Sequence, residues 1–300
     1  MIYKSWMQFI KDEAKLVDVV MPSAHNAYSF SQPEQYKTQD GDFYEQFTYG
    51  ARHFEIKIDT DKEGNIVLCR GLKKGTSLES ALQEFQRMIE ESDEFFIFDI
   101  REYYLTKIVG NYACQYYADK DVVNGLLDKY LEPGKYAYCD FDDVNNVTVG
   151  DIRRSKKRYL LINYKKEYDY SVSTDVFIPW KGFFENLEEK NGNKNGVGFF
   201  DDYKLNSSFW FRTQKYPHPQ QPVGNKTPRK EDRYYSNRQL MMIEGIANHK
   251  EYLNNARIIS ADFLTKSYYK SRFILMLNVL KGNVKECKEG EFLRGLWKGE

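Results

Sequence analysis

Short apolar runs recur along the chain and alternate with polar or helix-like segments. Runs of roughly four to eight residues rich in Val, Ile and aromatic side chains are typical of β-strands. Strands that alternate with helical patterns form parallel βαβ units, so the pattern predicts an α/β fold. The eight predicted strands cover residues 17–21, 52–58, 65–70, 94–101, 158–163, 175–178, 208–212 and 257–262.

The clearest helix follows the third predicted strand. Thr76 and Glu79 have the spacing of a capping box, which predicts a helix start at this point. The apolar residues after it recur every three or four positions, which is the period of one helix face. This face is expected to pack against the sheet, and it consists of Leu78, Leu82, Phe85 and Ile89.

Turn and loop signals shape the expected architecture. Gly64-Asn65 predicts a tight turn between the second and third strands, so this connection is expected to be a hairpin-like join. Residues 188–198 and 216–233 are rich in loop-forming or charged residues and are expected to be long loops at a barrel rim. No convincing domain boundary is present, and residues 1–300 are expected to form a single domain.

Composition excludes several classes of protein. Lys+Arg and Asp+Glu are equal at 44 each, and this balance argues against a nucleic-acid partner. The local run Lys156-Lys157-Arg158 is interpreted as the solvated entrance to a strand. The four cysteines form no C-x-x-C pair, which argues against a zinc or thioredoxin-type site. No signal-peptide core and no apolar run of roughly 18 residues is found, so we expect a cytoplasmic or peripheral membrane protein.

Polar residues at the ends of the predicted strands are the candidate functional residues. His25 follows the first strand, and Glu55 and Lys57 share one face of the second, because side chains alternate along a strand. In a closed barrel the strand ends converge on one rim, and the first and last strands are neighbours. The residues at the ends of the third, fourth, fifth and last strands are Arg70, Arg101, Asn163 and Asp262.

These residue types favour phosphodiester chemistry. A carboxylate at Asp262 beside His25 would fix the tautomer of the imidazole and stabilise its charged form. Cations at one rim, such as those of Lys57, Arg70 and Arg101, suit a phosphate or its transition state. Structural alternatives remain open, because a histidine before a turn is commonly a hydrogen-bonded loop residue and Asp262 is also placed to cap a helix.

Several motifs, taken in order, resemble the X domain of phosphatidylinositol-specific phospholipase C. They lie at residues 6–7, 21–27, 46–57, 67–71, 96–104 and 259–263. The ordered match spans about residues 6–105, with weaker agreement over 159–278, and it is closest to the small proteins that consist of this domain alone. The resemblance implies a distorted TIM (β/α) barrel of the PLC-like phosphodiesterase type.

The resemblance also implies roles for the candidate residues. His25 matches the general base that removes a proton from the inositol 2-hydroxyl, and Asp262 matches the carboxylate that orients it. Asn26 and Glu55 are similar to calcium-site residues of the calcium-dependent branch. Lys57 and Arg101, however, stand where that branch has carboxylates. The implied site is therefore independent of metal ions and other cofactors. Asn163 replaces a basic residue that is often present at the fifth strand.

Arg70 departs from the family pattern in the most important way. The family has a second histidine here, which acts as the general acid for the diacylglycerol leaving oxygen. An arginine stays protonated, so it stabilises negative charge but is a poor proton donor near neutrality. Among other donors, Cys69 is expected to point away from Arg70, and His53 is expected to lie too deep in the strand. His218 and His249 are the remaining histidines.

Three functions follow as alternatives. The first is a slow phosphodiesterase that cleaves a phosphoinositide or another phosphodiester lipid, with transient visits to a membrane surface. The second is an inactive relative that binds inositol phosphates or anionic headgroups through the permanent cation of Arg70. The third is a glycerophosphodiesterase, against which the cations of Lys57 and Arg101 argue, because those enzymes use a metal-binding carboxylate cluster.

Overall fold

The computed structural model describes residues 2–34, 36–70, 73–102, 107–109, 112–114, 118–138, 146–162, 213–215, 247–248 and 250–298. Arg70 and Arg101 are described as backbone positions within strands. The predicted strands 175–178 and 208–212 and the predicted loops 188–198 and 216–233 lie outside the described residues, as do Asn163, His218 and His249.

A mixed sheet forms the centre of the described structure, with strands in the order β4-β3-β2-β1-β10-β9 and with β5 between β2 and β8. A separate antiparallel pair consists of β6 and β7. The strands are β1 (Met21–Ala24), β2 (His53–Thr60), β3 (Ile66–Arg70), β4 (Lys73–Ser77), β5 (Phe96–Glu102), β6 (Lys107–Val109), β7 (Tyr112–Cys114), β8 (Tyr159–Ile162), β9 (Thr213–Lys215) and β10 (Ile258–Ala261).

Most neighbouring strands of this sheet are parallel, as predicted. β1 pairs in parallel with β10 and β2, and β5 pairs in parallel with β2 and β8. The exceptions are the antiparallel pairs β2–β3 and β3–β4, and the first of them confirms the hairpin predicted from Gly64-Asn65. Within the described residues the sheet is not closed, and β4, β8 and β9 are its edge strands. The carboxyl ends of the parallel strands therefore meet at one edge.

Helices cover the outer face of the sheet. The α-helices among the described residues are α1 (Phe43–Thr48), α2 (Leu78–Glu91), α3 (Lys120–Leu131), α4 (Pro133–Tyr136), α5 (Val149–Ser155), α6 (Lys250–Asn255), α7 (Tyr269–Leu280) and α8 (Glu289–Lys298). The apolar face predicted for α2 is buried, and Phe85 stacks on Phe98 of β5 with ring centroids 4.3 Å apart. Phe54, Phe98 and the apolar side of α2 belong to one core.

A second apolar cluster joins the N-terminal segment to α5, α7 and α8. It contains Val17 and Val19, which belong to the strand predicted at residues 17–21. That prediction was wrong for these two residues. Residues Leu16–Asp18 form a 3₁₀ turn, and the strand itself runs over Met21–Ala24. The apolar pattern correctly predicted that these residues are buried. It did not predict the 3₁₀ turn, because a short apolar run is compatible with any buried segment.

The start of α2 also differs from its prediction. The N-cap is Ser77, whose hydroxyl accepts from the backbone N–H of Ser80 at 3.1 Å, so the capping box of Thr76 and Glu79 was wrong. Thr76 belongs to β4 instead. Serine caps a helix as well as threonine does, and the strand directly before the helix decides which of the two adjacent hydroxyls takes the position.

A buried ion pair holds the N-terminal segment against the sheet. Arg52 donates to Oε2 of Glu94 through Nε at 2.8 Å and Nη2 at 2.6 Å. Arg52 is wholly buried and also donates to the carbonyls of Tyr3 and Ala51. The backbone N–H of Met7 donates to the same carboxylate oxygen at 3.2 Å.

No described helix has the length and apolar content that a membrane span requires.

Candidate active site

His25 and Asp262 meet at the carboxyl edge of the sheet. Each follows directly after its strand, and Ala24 is paired with Ala261 in the parallel register of β1 and β10. Nδ1 of His25 lies 2.7 Å from Oδ1 of Asp262. Both residues are buried, with 5% and 2% of their surface exposed. The structure therefore places His25 beside Asp262, as predicted from the adjacency of the first and last strands.

The backbone turns sharply immediately after each of these two residues. Asn26 has φ 44° and Phe263 has φ 47°, which places both in the left-handed region. Asparagine tolerates this conformation, whereas a phenylalanine there is uncommon and strained. The turns end the two strands at the same level, so that the preceding side chains face each other.

Buried polar residues from a nearby loop hold the two strand ends together. The amide nitrogen of Gln39 donates to the carbonyls of His25 at 3.2 Å and Ala261 at 2.7 Å. The hydroxyl of Thr38 donates to the carbonyl of His25 at 2.9 Å. Nζ of the buried Lys270 donates to the backbone carbonyl of Asp262. These contacts fix the spacing between the imidazole and the carboxylate.

The amide of Asn26 faces the other imidazole nitrogen. Its Nδ2 lies 2.9 Å from Nε2 of His25, while its Oδ1 accepts from Lys57 Nζ at 3.3 Å and from the Tyr28 hydroxyl at 3.2 Å. Because an ammonium and a hydroxyl both donate to the oxygen, the amide NH₂ must face the ring. Nδ1–H of His25 then donates to Asp262, and Nε2 accepts. This tautomer is the one a general base needs.

Lys57 lies between two oxygen-bearing side chains. Its ammonium is 3.3 Å from Oδ1 of Asn26 and 3.5 Å from Oε1 of Glu55. The carboxylate is buried, whereas the lysine side chain is 23% exposed. A cation therefore stands between the two residues that resemble calcium ligands, and it reaches the surface of the site.

Beneath this layer lies a second polar group in the sheet interior. His53 shares a hydrogen bond of 2.7 Å with Ser23 through Nδ1, and its Nε2 is 3.8 Å from Oδ2 of Asp99. All three residues are buried. Because β2 places His53 four residues before Lys57, its ring is roughly 13 Å lower along the strand. The prediction that His53 lies too deep to act as a proton donor depends on this same spacing, and β2 is continuous from His53 to Lys57.

The remaining predicted site residues are placed by strand register. Arg101 is directly paired with Lys57, so its backbone lies at the level of the site. Leu68 pairs with Ile58 in the antiparallel register, and Arg70, two residues further along β3, is level with residues 55–57 of β2. Asn163 lies outside the described residues.

Cys69 is fully buried, and burial raises the pKa of its thiol to about 12, so this thiol is a poor acid.

Sequence reasoning missed the residues that support the site. Tyr28, Thr38, Gln39 and Lys270 all contact it, yet each is a common polar residue without a spacing signal. Their polarity in otherwise buried segments becomes visible only with the fold. Among the described residues, no group of three or more His, Cys, Asp or Glu side chains is arranged to hold a metal ion. Independence from metals stays a prediction.

The fold is that of bacterial phosphatidylinositol-specific phospholipase C. The enzyme from Listeria monocytogenes superposes with a TM-score of 0.60 at 16% identity, over 92% of this chain and 98% of that chain. A tyrosine variant of the enzyme from Staphylococcus aureus gives a TM-score of 0.60 at 13% identity, over 90% and 95% of the two chains. No family model and no curated protein matches the sequence. The predicted PLC-like barrel fold is confirmed.

Proposed function

We propose that the protein is a phosphoric diester hydrolase that cleaves a phosphoinositide or glycosylphosphatidylinositol-type lipid, with His25 as the general base. The single observation that carries the proposal is the arrangement of its two ring nitrogens. Nδ1 is held by Asp262 at 2.7 Å, and Nε2 is directed to the amide of Asn26 beside the Lys57 ammonium. A neutral imidazole with an orienting carboxylate and a neighbouring cation is suited to activate a hydroxyl next to a phosphate.

The proposed reaction is an intramolecular transfer. Nε2 of His25 takes the proton of the inositol 2-hydroxyl, and the oxygen attacks the phosphorus. The bond between phosphorus and the diacylglycerol oxygen breaks, which leaves an inositol cyclic phosphate and a diacylglycerol alkoxide. The alkoxide takes a proton from water, and His25 returns its proton to the solvent. Asp262 stabilises the imidazolium formed in the first step. The hydroxyl displaces the Asn26 amide from Nε2 as it binds.

Lys57 supplies the positive charge next to the phosphate in this proposal. Its ammonium already lies between Asn26 and Glu55, at 3.3 and 3.5 Å. A divalent cation at the same place would be repelled by this fixed charge. Arg101 is paired with Lys57 in the sheet and is proposed as a second phosphate-binding residue. Asn163, the candidate residue at the end of the fifth predicted strand, is also proposed to bind the substrate.

The expected rate of phosphodiester cleavage depends on Arg70. It is proposed to stabilise the developing charge on the leaving oxygen, but it does not donate a proton readily. A general acid contributes about 10²–10⁴-fold, so the enzyme is expected to be slower than one with a histidine at this position. The substrate lies in a bilayer, and the protein is proposed to visit the membrane surface transiently, without nucleic-acid partners.

Asp262→Asn tests the proposal with an isosteric change. Vesicles that contain phosphatidylinositol are incubated with the protein in EDTA, and inositol cyclic phosphate is measured. Because the amide favours the wrong tautomer of His25, the rate is expected to fall by about 10²–10⁴-fold. Asp121→Asn, an exposed residue of α3, is the matched control and should leave the rate unchanged. Equal rates for wild type and Asp262→Asn would contradict the assigned base.

Headgroup binding without cleavage is the second candidate, and the permanent cation at Arg70 favours it. Here the protein would bind soluble inositol phosphates but release no product. Calorimetry with inositol 1-phosphate tests this, and Arg70→Ala should weaken binding by about tenfold. Turnover by the wild type would exclude this candidate, whereas unaltered binding by Arg70→Ala would remove the reason for it.

A further inference from the structure

A cavity of about 370 Å³ lies at the opposite end of the sheet from His25. It is lined by residues that precede β5 and β8, including Asp93, Glu94 and Arg158. His25 and Asp262 instead follow their parallel strands. Along β5, the distance from this end to the level of Lys57 is five residues, or about 16 Å at the usual rise of a strand. The cavity is therefore separate from the candidate active site.

The cavity is strongly basic. Four cations line it, namely Arg153, Lys156, Lys157 and Arg158. Of the two acidic residues in its lining, Glu94 is neutralised by the buried Arg52 at 2.6 Å. Asp93 pairs with Arg158 at 2.6 Å. The lining thus keeps an excess of positive charge after its own ion pairs are counted.

Two of these cations have structural roles. Arg153 donates to the carbonyls of Met7 at 2.7 Å and Ile10 at 3.0 Å, and it pairs with Asp12, so it fixes the N-terminal segment. Arg158 is held by Asp93. Lys156 is the C-cap residue of α5, where a cation also complements the helix dipole, whereas Lys157 lies beyond the helix.

Lys156 and Lys157 have no ion pair of this kind. Within the described part of the chain, neither has a carboxylate oxygen within 4.0 Å, and Lys157 Nζ donates only to the carbonyl of Gly134 at 3.0 Å. Lys156 has φ 58°, a left-handed conformation in which glycine is the usual residue after a helix. Glu132 has the same conformation after α3, so the left-handed backbone of Lys156 does not by itself indicate a ligand.

The charges around Arg153 also repel one another. The pKa of Lys285 lies below its ordinary value because burial disfavours the charged form and because Arg153 and Lys288 are close. Burial likewise lowers the pKa of Arg153. A bound anion would offset this repulsion.

We infer that the cavity is a second binding site, which takes a small soluble ligand with a phosphate group, and that Lys156 and Lys157 bind the phosphate. Lysine binds phosphate as a point charge, and a volume near 370 Å³ is within the range of small-molecule sites. The run that was interpreted as a solvated strand entrance thus has a binding role. This site is independent of the reaction proposed for His25.

Calorimetry with inorganic pyrophosphate at low ionic strength tests the inference. Lys156→Gln/Lys157→Gln is expected to weaken binding by about tenfold or more, since two phosphate contacts are lost. The matched control is Lys62→Gln/Lys120→Gln, which removes the same charge from exposed positions elsewhere. Lys57→Met tests whether the probe binds in the candidate active site instead. Lys62→Gln/Lys120→Gln should bind like the wild type, and Lys57→Met should keep the binding that Lys156→Gln/Lys157→Gln loses. Circular dichroism checks that every variant is folded.

Several results would overturn the inference. Absence of binding to the wild type, or equal weakening in Lys62→Gln/Lys120→Gln, would show that no specific site exists. Loss of pyrophosphate binding only in Lys57→Met would show that pyrophosphate binds in the candidate active site and not in the cavity. A parallel measurement uses phosphatidylcholine vesicles that contain a phosphatidylinositol phosphate. Binding to these vesicles without binding to pyrophosphate would make the basic face a membrane contact and not a site for a soluble ligand.

Discussion

The amide nitrogen of Asn26 lies 2.9 Å from Nε2 of His25, the ring nitrogen opposite the one that faces Asp262. The candidate base is thus occupied on both nitrogens before any substrate is bound. The contact selects the reactive tautomer, and a substrate hydroxyl must replace it. Asn26 is held in this position by its left-handed backbone and by the donors Tyr28 and Lys57.

Substitution of Asn26 is expected to separate its backbone role from its side-chain role. Both Asn26→Gly and Asn26→Ala remove the amide, but only glycine accepts φ 44° without strain. Asn26→Ala should therefore be less stable than Asn26→Gly by about 1–2 kcal/mol, measured by urea unfolding.

Arg294 provides the matched control for this comparison. It is exposed within α8, where alanine is the better residue. Arg294→Gly should be less stable than Arg294→Ala by about 1 kcal/mol, which reverses the order expected at Asn26. The same order at both positions would contradict the left-handed assignment of Asn26.

The buried ion pair of Arg52 and Glu94 is expected to be essential for stability. Arg52→Met leaves a buried carboxylate without its cation, and the free energy of unfolding should fall by about 3–5 kcal/mol. Arg87→Met breaks the exposed pair with Glu91 and should change it by less than about 1 kcal/mol. Thermal unfolding of both variants measures the contrast, and equal effects would rule out the buried pair as the anchor of the N-terminal segment.

The raised pKa of Glu84 predicts that the stability of the protein depends on pH. Burial raises its pKa from 4.5 to about 7, although the backbone N–H of Tyr44 donates to its carboxylate. Between pH 7 and 4.5 the folded state binds a proton that the unfolded state does not, so this residue should add stability as the pH falls. Above pH 7 that contribution is lost.

Urea midpoints measured across this pH range check the assignment. Glu84→Gln should be more stable than the wild type above the folded pKa, and the difference should shrink as the pH falls. Glu63→Gln, in the exposed turn between β2 and β3, is the control and should follow the wild type. An unchanged pH dependence in Glu84→Gln would contradict the raised pKa.

Arg70→His is expected to increase cleavage. The histidine restores a group that titrates near neutrality at a position level with residues 55–57 of β2. If the base half of the site is intact, phosphatidylinositol cleavage should rise by about 10²-fold or more. Arg70→Gln, which cannot donate a proton as an acid, is the control. A histidine variant no faster than the glutamine variant would show that the missing acid is not what limits the rate.

Much of the site could be predicted from local order in the sequence. Residue alternation in β2 put Glu55 and Lys57 on one face, and they are 3.5 Å apart. The adjacency of the first and last strands brought Asp262 to His25. Both predictions depend only on the period of a strand and on parallel topology.

Other features were beyond local patterns. Val17 and Val19 are apolar because they pack in the second apolar cluster, whereas the strand that leads to His25 contains the polar Ser23, which is buried against His53. The role of Gln39 depends on two carbonyls that are far apart in sequence. Such positions become recognisable only when the tertiary contacts are known.

The most direct test of the proposed reaction compares the wild type with His25→Ala on phosphatidylinositol vesicles in EDTA, with phosphorus NMR to detect the products. The wild type should form inositol cyclic phosphate, and His25→Ala should lose at least about 10²-fold of that rate. Product formation that is no greater with the wild type than with His25→Ala would contradict the assignment of His25 as the catalytic base.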